Sequence, residues 1–208
     1  GPLTLRPNDS LSIEAVVSFP TLTAMQVRTA AIGTRVFVSG VALHARATYS
    51  DTLLHVVDAS GALRAARVRP TVAVAGDSVR MRGRVAVRDG RRVLDDVTVY
   101  VVGATFIPTA PVITTLRAST ADAGALDGAL VRLLDAVVSD TATVAGSMTM
   151  TVSDGSGALT VLLDRVADIG FRPPFTVGSL AAGARYDLVG VLVPNGSGGW
   201  VLRPRADV

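Results

Sequence analysis

Apolar and polar residues alternate along most of this chain with the two-residue period of a half-buried strand. The pattern is clearest around two nearly identical turns, DASGAL at Asp58–Leu63 and DGSGAL at Asp154–Leu159, which agree at five of six positions and lie 96 residues apart. The runs TLLHVV and ALRAARV flank the first turn, and SMTMTVS and ALTVLLD flank the second. Asp and Ser bond nearby backbone N–H groups and Gly tolerates positive φ, so each stretch predicts a β-hairpin. Upstream of the hairpins lie the long strands TRVFVSGVALHA and ALVRLLDAVVSD. Downstream, residues 77–102 and 184–204 each read as strand, turn, strand. Each unit therefore predicts five strands in about 70–80 residues, a length suited to a small closed barrel.

Gly40, Gly83 and Gly190 fall inside strand patterns and mark the sharp bends a closing sheet needs; Asp135 stands in the second unit where the first has Gly40. The lead-ins TLTAMQVRTAAIGT and TTLRASTADAGALDG each predict one short helix closed by Gly. The second unit carries extra residues around IGFRPPFTVGSL, expected as a loop over a barrel mouth near 168–180 and pinned by Phe171 and Phe175. The expected organisation is an extended N-terminal segment over 1–21, a first barrel over 22–103, a linker with a short helix over 104–128, and a second barrel over 129–208. The fold class is all-β, two tandem five-stranded barrels.

A five-stranded unit with a Gly-bent first strand and a D-x-S-G hairpin between strands two and three resembles the OB-fold. The phrase RTAAIGTRVFVSGVALHA…LLHVVDASGALRA…AGDSVRMRGRV is similar to the OB-type domains attached to exported bacterial proteins, among them secreted nucleases and surface lipoproteins. The resemblance covers residues 22–103 strongly and 110–208 more loosely. It implies a non-catalytic accessory module, located outside the cell or on its surface. Residues 1–7, GPLTLRP, lack the basic start and apolar core of a signal peptide, so none is expected in this chain.

Composition narrows the chemistry. The 208 residues include no Cys, which excludes disulfides, thiolate catalysis and Cys-ligated metals. No apolar run approaches the ~20 residues of a membrane-spanning helix. All 20 basic residues are Arg, and the net charge is +3. That charge is unevenly spread: residues 34–103 hold eleven Arg against six Asp, a net +5, whereas 129–208 hold six Arg against seven Asp, a net −1.

Arg80, Arg82 and Arg84 alternate and so share one face of a strand. With Arg64 on a neighbouring region and Phe37 as a ring, they form a candidate polyanion-binding surface, the alternative being an ordinary solvated face. Nine aromatics in the whole chain argue for weak, salt-sensitive binding. His44 and His55 lie on adjacent predicted strands. Joined by Asp51 or Asp58 they suggest a metal site, but such a site needs three or four converging ligands, so they read as two unrelated strand residues. Asp58 and Asp154 read as turn caps rather than calcium ligands. Asp95 and Asp96, as strand neighbours, point to opposite faces. No nucleophile elbow, phosphate loop or dinucleotide fingerprint is present. The chain is expected not to be an enzyme and to carry no cofactor and no metal.

Two roles remain. The first is self-association into a homopolymer or surface assembly, in which the β-prone N-terminal segment (Leu3, Leu5, Leu11, Ile13, Val16, Val17) adds as a strand to a neighbouring copy. The second is binding of single-stranded nucleic acid or an anionic polysaccharide by the basic barrel.

Overall fold

The computed structural model describes residues 18–45, 48–144, 147–163 and 181–205. The proposed assembly residues Leu3, Leu5, Leu11, Ile13, Val16 and Val17 lie outside them, as does the insertion near 168–180 with Phe171 and Phe175.

The elements in chain order are α1 (Ala24–Val27), β1 (Arg35–Ala42), β2 (Leu53–Asp58), β3 (Gly61–Ala66), β4 (Asp77–Arg88), β5 (Arg91–Ala104), α2 (Thr115–Gly124), β6 (Leu130–Val144), β7 (Ser147–Ser153), β8 (Leu159–Leu163), β9 (Arg185–Pro194) and β10 (Trp200–Pro204). The strands close into two barrels, ordered β1-β2-β3-β5-β4 and β6-β7-β8-β10-β9. Only β3–β5 and β8–β10 pair in parallel among the strand pairs of these barrels. The chain is all-β with two tandem five-stranded barrels, and the shared strand order is that of the OB-fold.

Each barrel buries one face of its alternating strands. In β4, Val79, Met81, Gly83 and Val85 point inward while Arg80, Arg82 and Arg84 point out. The first core gathers Val36, Val38, Leu54, Leu63, Met81 and Leu94; the second gathers Leu133, Val138, Met150, Leu159, Leu192 and Leu202. The bends expected at glycines have a steric cause. A Cβ on Gly40 would sit 2.8 Å from the Val57 carbonyl oxygen, and one on Gly190 would collide with the Arg203 carbonyl. Gly190→Ala is therefore expected to cost about 1–3 kcal/mol by forcing β9 from β10, read as a lowered urea midpoint. In β6 the bend is made by Asp135, which adopts φ 50° within a register shift between Leu133 and Ala136.

The repeated turn holds the repeated helix. Asp58 Oδ2 accepts from Ala24 N (2.7 Å) and Ser60 Oγ from Met25 N (3.1 Å), while the N-cap Thr23 accepts from Gln26 N (3.2 Å). In the second barrel Asp154 Oδ2 accepts from Thr115 N (3.0 Å), Ser156 Oγ from Leu116 N (3.1 Å) and Thr114 Oγ1 from Arg117 N (3.2 Å). The orphan donors of a helix start are thus met largely by a hairpin tens of residues away. The turn-capping expectation for Asp58 and Asp154 holds: each Oδ1 also accepts from the backbone N–H two residues on.

Each lead-in makes one parallel β-bridge before its helix. Pro20 O accepts from Phe37 N and Leu22 N donates to Phe37 O, both at 2.8 Å. Pro111 O and Ile113 N repeat this with Arg132, both at 2.9 Å. α2 packs on β8 and β10. The short helix expected within 104–128 is therefore α2, held against the second barrel.

The barrels meet through a third apolar cluster of Leu43, Tyr49, Leu130, Val191, Val193 and Val201. Polar straps flank it. Arg28 donates to the carbonyls of Ala62 in its own barrel and of Gly124, Ala125 and Asp127 in the other, at 2.7–3.1 Å. Tyr49 Oη donates to Arg203 O at 3.1 Å.

Candidate nucleic-acid interface

The outward face of β1, β4 and β5 carries three cross-strand rows. Arg35 stands opposite Arg84, Phe37 opposite Arg82, and Ser39 opposite Arg80; Arg82 continues to Thr98 and Arg80 to Tyr100. The rows follow from register, because side chains two apart on each strand share a face and direct partners lie side by side. The Arg80 guanidinium lies 4.2 Å from the Phe37 ring centroid, a cation–π distance. Phe19, held there by the lead-in pairing at Pro20, tilts against Phe37 at 6.1 Å. Tyr100 is 45% exposed.

A groove of about 160 Å³ opens on this face between Phe19, Arg35, Arg69, Arg82, Arg84 and Thr98. Arg69 leans to Asp96 at 3.5 Å, both exposed. Among the described residues, Arg35, Arg80, Arg82 and Arg84 have no carboxylate within ion-pair distance. The carboxylate nearest in register to Arg84 is Asp95, and Arg67 (2.9 Å) and Arg88 (3.2 Å) occupy it. Their hold, against the opposing effect of burial, keeps the Asp95 carboxyl below its ordinary range. Among the described residues the face therefore carries positive charge in excess of its one groove carboxylate, Asp96, beside the rings of Phe19, Phe37 and Tyr100.

The structure brings together Phe37, Arg80, Arg82 and Arg84 of the expected site, and it separates Arg64. Arg64 lies on the side of β3 opposite the core residues Leu63 and Ala65, covered near Gly128 by the second barrel, where it is 9% exposed and donates to Asp89 Oδ2 and Arg88 O, both at 2.9 Å. Arg64 is thus part of the seam between the barrels rather than of the exposed β1–β4–β5 face. Arg35, Arg69, Tyr100 and Phe19 were missed. For Arg35 the signal was available, since it alternates with Phe37 on one strand. For Tyr100 and Arg69 only strand pairing reveals the neighbourhood.

His44 and His55, read as unrelated, are bonded to each other. Both are buried, with His44 Nε2 2.9 Å from His55 Nδ1. His44 Nδ1 donates to Ala45 O at 2.7 Å, so its Nε2 is the acceptor, taking both the Nδ1–H and the backbone N–H of His55. Two neutral rings satisfy this pattern. Burial lowers His44 to about 4 and holds His55 well below its ordinary value, with the positive charge of Arg203 adding to both. Asp58, the third ligand imagined for a metal, is committed to the α1 clamp. Among the described residues no group of three or more His, Asp or Glu converges.

No protein-family model and no curated protein matches the chain. Solved structures similar to it include the hypothetical protein YgiW from E. coli, 23% identical over 43% of this chain and 100% of its own, with a TM-score of 0.35. The p202 HIN1 domain in complex with a 12-mer dsDNA is 12% identical over 81% of this chain and 88% of its own, with a TM-score of 0.38. The Ifi202 HINa domain in complex with 20 bp dsDNA is 13% identical over 81% of this chain and 91% of its own, with a TM-score of 0.36.

Proposed function

We propose that the chain is a non-enzymatic binding protein whose first barrel holds single-stranded nucleic acid along the β1–β4–β5 face. One observation carries this reading: among the described residues, Arg35, Arg80, Arg82 and Arg84 stand without carboxylate partners beside Phe37 and Tyr100. Arginines that neutralise phosphates release counterions, and rings stack bases without regard to sequence. A short single-stranded oligonucleotide is expected to bind with an affinity that falls steeply with salt. Arg82→Gln with Arg84→Gln flattens the log–log salt slope by about 1.4, at roughly 0.7 per phosphate contact on a single strand. Tyr100→Ala weakens binding by about 1–3 kcal/mol, the worth of one stacked base. Fluorescence anisotropy across a salt series reads both. An anionic polysaccharide has no bases, so on that reading Tyr100→Ala leaves affinity unchanged. Absence of binding to either polyanion at low salt overturns the proposal. The exported setting implied by the OB-type resemblance belongs to the same reading, and cell fractionation tests it.

Self-association is kept as a second reading because of one feature, the exposed apolar residues Val102 and Phe106 at the end of β5, 68% and 92% exposed. Isolated apolar residues are ordinary on a surface, whereas contiguous apolar patches larger than roughly a few hundred Å² mark contact sites, the scale at which this reading applies. Light scattering is expected to show a mass that rises with protein concentration and reverts to the monomer in Val102→Ser with Phe106→Ser. A constant monomer mass removes this reading.

A further inference from the structure

A second cationic cavity lies between the barrels, away from the β1–β4–β5 face. The tip of the β4–β5 hairpin supplies Arg91 and Arg92, the residue after α1 supplies Arg28, and the end of α2 with the turn after it closes the far wall through Gly124 and Asp127. Together they enclose about 330 Å³, the lower end of the range for small-molecule sites.

The three arginines are not equivalent. Arg28 is spent, its terminal nitrogens donating to four carbonyls, three of them across the seam. Burial is the chief reason its pKa is lowered, and the charge of Arg91 adds to it. Arg91 and Arg92 are underused. Among the described residues each makes a single long bond of 3.4 Å, Arg91 to Ala123 O and Arg92 to Arg28 O, and the buried Nε of Arg92 has no acceptor. The carboxylate on the wall, Asp127, is 6% exposed, and burial raises its pKa. Nearby Asp89 is neutralised by Arg64. Positive charge thus exceeds negative in a half-enclosed space, a costly arrangement unless an anion shares it.

We propose that this cleft binds a small, multiply charged oxyanion of the pyrophosphate class, gripped by Arg91 and Arg92 with Arg28 as a fixed cationic wall. Guanidinium forks donate paired N–H bonds to such oxygens. Gly90 and Gly124 leave the mouth open. A Cβ added at Gly124 would collide with the Arg91 guanidinium, so a side chain there displaces Arg91. Arg91 also lies over Trp200, 5.1 Å from the ring centroid, and this is the chain's one tryptophan. An anion that draws Arg91 into the cleft changes the environment of that single indole.

The test titrates the full chain with inorganic pyrophosphate at constant ionic strength, following tryptophan fluorescence and, in parallel, calorimetric heat. The expected result is saturable binding with a Kd below about 1 mM. Arg92→Gln, which leaves the Trp200 contact intact, weakens it at least about tenfold, or 1.4 kcal/mol. Arg82→Gln with Arg84→Gln leaves it unchanged, which separates this site from the nucleic-acid face. Absence of saturation by about 10 mM in both readouts, or an Arg92→Gln protein that binds as tightly as the parent, overturns the proposal. A loss of binding in the Arg82/Arg84 variant also overturns it, by assigning the effect to the outer face.

Discussion

Lowering the pH from about 6.5 to 4 destabilises the folded protein by on the order of 3 kcal/mol through His44 alone. The folded protein holds His44 neutral down to about 4, because burial removes the water that would solvate its charged form. The unfolded chain takes up a proton near the ordinary histidine value of about 6.5. Between those values the unfolded state binds more protons, so stability falls as pH falls. His55 shifts in the same direction and adds to the loss. The charges nearest the pair, Arg64, Arg203 and Arg205, are all positive and oppose protonation. Asp127 works with the opposite sign. Its raised carboxyl favours the folded state as it takes up its proton, which offsets part of the loss at the acid end. Asp58 and Asp154 have lowered carboxyl values, so the stability they supply persists above about 3.8 and is lost only below it. Urea midpoints at pH 7, 6, 5 and 4 check this, and His44→Phe should flatten the curve. A midpoint unchanged between pH 7 and 5 in the parent protein removes the account.

Asp58→Ala is expected to cost about 2 kcal/mol, and Asp154→Ala a similar amount, in the upper part of the range for loss of a helix cap. Each carboxylate joins the hairpin turn to the first N–H of a helix in its own barrel. α1, at four residues, is far too short to persist without such partners. The effects are local to each barrel, so they should add when combined. Amide exchange tests the mechanism directly. Ala24 and Met25 should lose protection in Asp58→Ala, and Thr115 and Leu116 in Asp154→Ala. Ser60→Ala, which removes the acceptor for Met25 alone, should cost about 1 kcal/mol. Equal loss of protection at both helices in either single variant contradicts the clamp.

The capping role of Asp58 and Asp154 within their turns was legible, because an Asx turn is closed by residues two apart. Their larger role, holding a helix start 34 or 39 residues earlier, was not. The row Arg80, Arg82, Arg84 was legible because alternation on one strand is a local property. The pairing of His44 with His55 was not, although the two strands were assigned: adjacency of strands does not say which residues meet.

The sequence by itself determined the strands, the turns, the duplication and the sign of the first barrel's charge, since each is written in residues a few positions apart. Tertiary structure alone decided which side chains became neighbours. It set Arg35 beside Arg84 and Tyr100 beside Arg80, covered Arg64 in the seam, joined the two histidines, and formed the cationic cleft from segments of both barrels. The physical reason is lateral registry. In a closed sheet a shift of one residue sends every side chain to the opposite face, and that choice is made by the packing of all five strands together.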